Sequence, residues 1–212
     1  MKKIDVPLRL QAEGSDDCGP VCVQMVLAAL GIDRELEDLT SRLTYSESGT
    51  SAYDNGILLL SEKLKVKPIT AQPLLFSPDT IGSISSADDF AKIIGERVER
   101  APADKPVLDT LSSFLKEGGE MVLEIPSFEH IQQAIDSSGL IIALLYGKAL
   151  GSNEGRYHFV VIHGYDEDKV LISNPLPGSK RQAWFPVKDF LYAVHASTTK
   201  EIDNGTLLAV WK

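Results

Sequence analysis

DDCGPVCVQMVLAALG, residues 16–31, is the stretch on which the fold turns. Val21 to Leu30 is apolar on nearly every side, which predicts a buried helix rather than a surface one. Asp16 or Asp17 suits its N-cap, Pro20 its first turn and Gly31 its end. Cys18 therefore falls at the helix N-terminus, where free N–H groups and the positive end of the macrodipole favour a thiolate. That predicts a lowered thiol pKa and a nucleophile competent at neutral pH, with Gly19 leaving room for close approach. Asp16 and Asp17 oppose this as neighbouring anions, and a free cysteine is more often simply core. Cys22, one turn further in, reads as core.

A second stretch, YHFVVIHGYDEDKVLISNP at 157–175, supplies the company Cys18 needs. Two β-rich runs, Tyr157–Tyr165 and Lys169–Asn174, flank a tight turn and predict an antiparallel hairpin. His158 opens an apolar strand, where a titratable group is out of place unless it is used. The hairpin would bring Asn174 beside it. Asn174 can then accept the imidazole Nδ1–H and leave Nε2 facing the thiol. Gln11, upstream of Cys18, offers an amide for an oxyanion beside the Cys18 N–H. His163 is an odd number of positions from His158, so on a regular strand it faces the other way and reads as structural. His130 and His195 read as solvent-facing, and Asp166 and Asp168 as turn residues.

The remaining elements set these two stretches in an α+β frame. Asp33 would cap a helix carrying Leu36, Leu39 and Leu43. Thr50 or Ser51 would open another with Tyr53, Ile57, Leu60 and Leu64 as its stripe. Residues 66–85 read as strand plus loop, followed by helices at 88–100, 105–116 and 128–137. From Gly139 the chain turns to strands: 140–146, 157–165, 169–173, 184–187 and 206–211, with a short helix near 188–192. The first ten residues read as a short strand or extended arm. Length and composition (212 residues, 43% hydrophobic) suit a single domain spanning 1–212, with 66–125 as an insertion of mixed helix and loop. A net charge of -9 argues against nucleic acid or an anionic membrane as partner. Two cysteines four positions apart, no secretory h-region and no long apolar run predict a cytoplasmic protein with no integral membrane segment. Neither a metal nor any other cofactor is indicated, since no HExxH, CxxC or phosphate-cradling loop occurs.

Gln11, Asp17-Cys18-Gly19-Pro20, Cys22 and Met25, with the distant His158-Phe-Val-Val-Ile-His-Gly-Tyr-Asp and Asn174-Pro175, resemble the double-glycine leader peptidases. These are papain-like cysteine peptidases that trim bacteriocin precursors. The resemblance covers residues 8–31 and 131–211. It implies a papain-like fold, with the nucleophile helix of an N-terminal helical part packed on a C-terminal antiparallel sheet. It also implies a peptide or protein substrate, and the roles argued above fall on Cys18, His158, Asn174 and Gln11. A cleft for paired small residues would need bulky walls, for which Trp184 or Tyr157 are placed. Six residues separate Gln11 from Cys18, one more than the family pattern. The same skeleton resembles phytochelatin synthases and plant-type guanylyl-cyclase-like proteins. Peptidyl or acyl transfer from the same thiol, and a non-catalytic peptide-binding module, therefore stand as alternatives to hydrolysis.

Overall fold

A computed structural model describes residues 1–43, 49–84, 86–150, 157–196 and 205–212. Residue 85, at the end of the expected 66–85 segment, lies outside them. The buried helix is α1, Cys18–Ala29, with Val21, Cys22, Val23, Met25, Val26 and Leu27 all fully buried. Each such side chain is worth roughly 1.5–3 kcal/mol of transfer free energy, which outweighs the poor helix propensity of its valines. Pro20 occupies the third helical position, where its missing N–H would have had no partner in any case. At the other end Gly31 takes φ +80° and the Ile32 N–H returns to the Leu27 carbonyl at 2.9 Å. Asp17 is the N-cap residue, but its side chain does not cap the helix.

Two further helices pack by α1: α2, Leu36–Thr40, and α3, Ala52–Ser61. Glu35 rather than Asp33 holds the N-cap of α2. Ser51, one of the two residues expected there, opens α3 through a capping box with Asp54. The buried side of α3 includes Tyr53, Asn55, Gly56, Leu58 and Leu59; of the expected stripe, Tyr53 and Leu64 are buried, whereas Ile57 and Leu60 are only partly so. Contacts with α1, with strands of the sheet and with a later helix cover this short helix over a wider arc than one amphipathic face.

Among the described residues, seven strands join one antiparallel sheet. Its continuous order is β2 (Lys65–Ile69), β7 (Leu207–Trp211), β3 (Leu140–Tyr146), β4 (Tyr157–Asp166), β5 (Lys169–Ser173) and β6 (Gln182–Pro186). The seventh, β1 (Lys2–Lys3), pairs with Tyr165 and Gly164 of β4. Residues 66–69 thus belong to the sheet edge. Pro68 is tolerated there because an edge strand has one side without ladder bonds. The Pro68 carbonyl accepts from Val122, and Thr70 donates to the Val122 carbonyl, which ties the end of the middle segment to the same edge.

Side-chain alternation sends successive strand residues to opposite cores. Leu140, Ile142, Leu144, Phe159 and Val161 pack with α1, α3 and α6 (Lys105–Lys116). Ile141, Ala143, Leu145, Val160 and Ile162 pack with α7 (Phe128–Asp136) and α8 (Val187–His195). The sheet is therefore covered on both faces, and the C-terminal half contributes helices as well as strands. Between β2 and α6 lie α4 (Pro78–Ser83) and α5 (Ala87–Arg100).

Candidate active site

Asn174 follows β5 and fixes the protonation pattern of its neighbour. Its Oδ1 accepts from the Leu176 N–H at 2.9 Å, an Asx-type turn closed by the chain itself. A backbone N–H can only donate, so this atom of the amide is the oxygen. The same oxygen lies 2.7 Å from His158 Nε2, and an acceptor there requires Nε2 to carry the proton. In neutral imidazole the other nitrogen, Nδ1, then keeps its lone pair and is the basic one. The ring is thus used the opposite way round from the expectation, in which Nδ1 met Asn174. The reason is the position of Asn174 on the neighbouring strand's end, which the far nitrogen of the ring reaches.

Cys18 lies against the strand that carries His158. Its sulfur is within reach of the backbone N–H groups of Phe159, the residue after His158, and of Gly19. Burial nevertheless pushes the Cys18 thiol above its ordinary value; those N–H groups oppose the shift and the Asp16 charge adds to it. The lowered pKa expected from the helix terminus is overturned, because desolvation of a half-buried thiol beneath β4 outweighs the dipole. Cys22 is fully buried and pushed well up, also by burial.

Gln11 is buried, and its backbone N–H donates to the Pro175 carbonyl at 3.0 Å, which sets it beside Asn174. Its side-chain Nε2 donates to the Ser15 carbonyl at 2.5 Å, leaving the second proton of that nitrogen for another acceptor. Between Gln11 and Cys18 the chain makes a turn in which the Ser15 N–H returns to the Ala12 carbonyl and Gly14 takes φ +77°. The structure thus joins His158 directly to Asn174. It joins Cys18 to the residue after His158, and Gln11 to the residue after Asn174.

The space at Gly19 is filled by the protein itself. Thr50 and Asn55 lie against its Cα, where room for an approaching ligand was expected. These two are the residues of the site that sequence reasoning missed; an Asn-Gly pair inside the otherwise apolar α3 was the signal available. Tyr157 packs against Tyr146 with ring centroids 5.4 Å apart, next to His158. Trp184 sits across from Leu171, away from the Asn174 end of the hairpin.

The other histidines are occupied. At His163 the β4–β5 ladder slips between Ile162 and Gly164, so the parity argument rests on a bulge rather than a regular strand. His163 is structural even so: Nδ1 meets the Ile4 carbonyl at 2.8 Å and Nε2 meets Ser173 Oγ at 3.1 Å. His130 and His195 are half-buried rather than solvent-facing. His130 bonds Ser127 and Glu124, and His195 bonds the Pro126 carbonyl, since each lies where a helix meets the 124–127 segment. Asp166 and Lys169 close the hairpin turn. Among the described residues, no group of three or more His, Cys, Asp or Glu is placed to hold a metal. No helix among them is long and apolar enough to cross a membrane.

A search of curated proteins gives no match. Among solved structures, a C39-like peptidase from Bacillus anthracis aligns at TM-score 0.59 and 14% identity, over 100% of this chain and 98% of its own. A double glycine motif protease from an AMS/PCAT transporter, solved in complex with the leader peptide, aligns at TM-score 0.50 and 17% identity, over 99% and 93%. At these identities the likeness concerns the fold, which is the papain-like α+β arrangement. The model of the Peptidase C39 like family matches residues 3–201, an extent that takes in both halves of the site and the middle segment. The chain therefore belongs to the Peptidase C39 like family.

Proposed function

We propose that the protein is a cysteine peptidase that cleaves a peptide bond through a thioester on Cys18. The observation that carries this reading is the pair of bonds on Asn174 Oδ1, which puts the proton on His158 Nε2 and the lone pair on Nδ1. A raised thiol pKa means that Cys18 rests as the neutral thiol. His158 Nδ1 takes its proton as the sulfur bonds to the scissile carbonyl carbon. The same proton passes to the leaving amine as the C–N bond breaks, and water then hydrolyses the thioester. The free proton of Gln11 Nε2 and the Cys18 N–H bind the oxyanion. Asn174 orients the imidazole and touches no reacting atom.

The solved relative from a transporter acts on double-glycine motifs and was captured with a leader peptide. For this chain we propose a peptide substrate with small residues on the acyl side, with Tyr157 forming part of a narrow wall. Transfer of the acyl group to an amine instead of water would proceed through the same thioester.

Hydrolysis of a cleaved peptide by His158→Ala and Asn174→Ala variants tests the assignment. His158→Ala should abolish turnover, and Asn174→Ala should lower kcat by about 10- to 1000-fold while leaving measurable activity. Full activity in Asn174→Ala would remove the orienting role, and activity in His158→Ala would remove the base.

A further inference from the structure

Among the described residues, four buried side-chain oxygen atoms without a hydrogen-bond partner lie on the segments flanking the Cys18 turn. Gln11 Oε1 and Ser15 Oγ are on one segment, Thr50 Oγ1 and Asn55 Oδ1 on the other. A buried polar group without a partner is destabilising, so such clustering calls for a local reason. The second segment lies directly on the nucleophile turn. A Cβ added at Gly49 would touch Asp16 at 3.5 Å. One added at Gly19 would overlap Thr50 Oγ1 and stand 2.6 and 2.8 Å from Asn55 Nδ2 and Oδ1.

Asn55 is held rigidly. Its Nδ2 donates to the Ser51 carbonyl at 3.0 Å, and Ser51 is itself locked by the reciprocal bonds with Asp54. The capping box therefore fixes the Asn55 amide, and the amide presses on the residue whose N–H points at the Cys18 sulfur. Resting on the reading of Cys18 as nucleophile, we propose that Asn55, assisted by Thr50, is a positioning residue that braces Gly19 and so sets the aim of the Gly19 N–H and of the sulfur. The unpaired oxygen atoms are the cost of placing polar, rigid side chains where an apolar one would leave the turn free to shift. An alternative in which Asn55 only fills space predicts no effect on the thiol from a side chain of the same branched skeleton.

The test is alkylation of Cys18 by iodoacetamide in the whole chain, read by peptide mass spectrometry from about pH 6 to about pH 9. Asn55→Leu keeps the branched side-chain skeleton and removes the amide. It should change the Cys18 rate by about tenfold and displace its pH profile, with Thr50→Val acting in the same sense to a smaller degree. Gly19→Ala should change the rate at least as much, and Gly19→Ala combined with Asn55→Ala should recover much of the loss by vacating the space. An unchanged rate and pH profile in Asn55→Leu overturns the brace, as does a double variant no better than Gly19→Ala. If Asn55→Leu does not fold, Thr50→Val and the Gly19 pair decide by the same criteria. Peptide cleavage tests the peptidase reading and relative alkylation tests the brace, so either can fail without the other.

Discussion

At the level of single residues, the proposed chemistry rests on one amide oxygen, Asn174 Oδ1, and one thiol, Cys18. Alkylation should modify Cys18 while Cys22 stays unlabelled in the native protein, because Cys22 is fully buried and its thiol is held well up by burial. Mass spectrometry of a short iodoacetamide pulse checks this, and equal labelling would contradict it. Asn174→Asp should keep more activity than Asn174→Leu, since a carboxylate still accepts from both the Leu176 N–H and the His158 ring. Measured kcat for the two variants should differ by about tenfold or more. The residues at this site were legible from sequence because their types conflict with their surroundings: a histidine in an apolar strand, a cysteine at a helix start. What was not legible was which ring nitrogen meets Asn174 and whether burial or the helix terminus sets the thiol pKa. Both depend on distances of a few ångströms that spacing does not encode.

Helices and strands with their own end signals were read closely, and those shaped by neighbours were not. Ser51 with Asp54 and the runs at 140–146 and 169–173 carry local signals, and the structure places elements there. The buried side of α3 was misread because contacts with α1, β2 and α6 select its face, and those partners are distant in sequence. The same holds for the middle segment. Leu108, Leu111 and Phe114 of α6 are fully buried in the core shared with α1. Leu111→Ala should therefore cost about 2–5 kcal/mol in a denaturant titration of the entire domain. A loss below about 0.5 kcal/mol, with one unchanged transition, would mean that the segment packs independently of the core. For the segment after residue 70 we propose an elaboration that supports the α1 side of the sheet rather than a separate domain.

Over the molecule as a whole, the N-terminal arm is fastened across the sheet by His163, which binds Ile4 and Ser173, and by Gln182, which binds Val6 and Ser173. Burial lowers the His163 pKa below 6.5, so the folded protein holds this ring neutral. A folded value below the unfolded one gives stability that is present above about pH 6.5 and is lost as pH falls through the folded value. The carboxylates held low by partners, such as Glu62 against Arg34 and Arg42, act in the same direction but only below about pH 4.5. Denaturation midpoints should therefore fall between about pH 7 and pH 5 in the native protein. His163→Gln should be less stable at pH 7 and flatter across that window, whereas an equal slope in both would exclude the ring as the titrating group. The family match bounds the molecule's fold, and the proposed substrate preference rests on the walls around Cys18. Cleavage of a peptide library varied at the two residues before the cut, by the native chain and by Cys18→Ala, tests the central claim most directly. The account predicts cleavage after small residues that is lost in Cys18→Ala; cleavage that survives Cys18→Ala, or none of any peptide by the native chain, would contradict it.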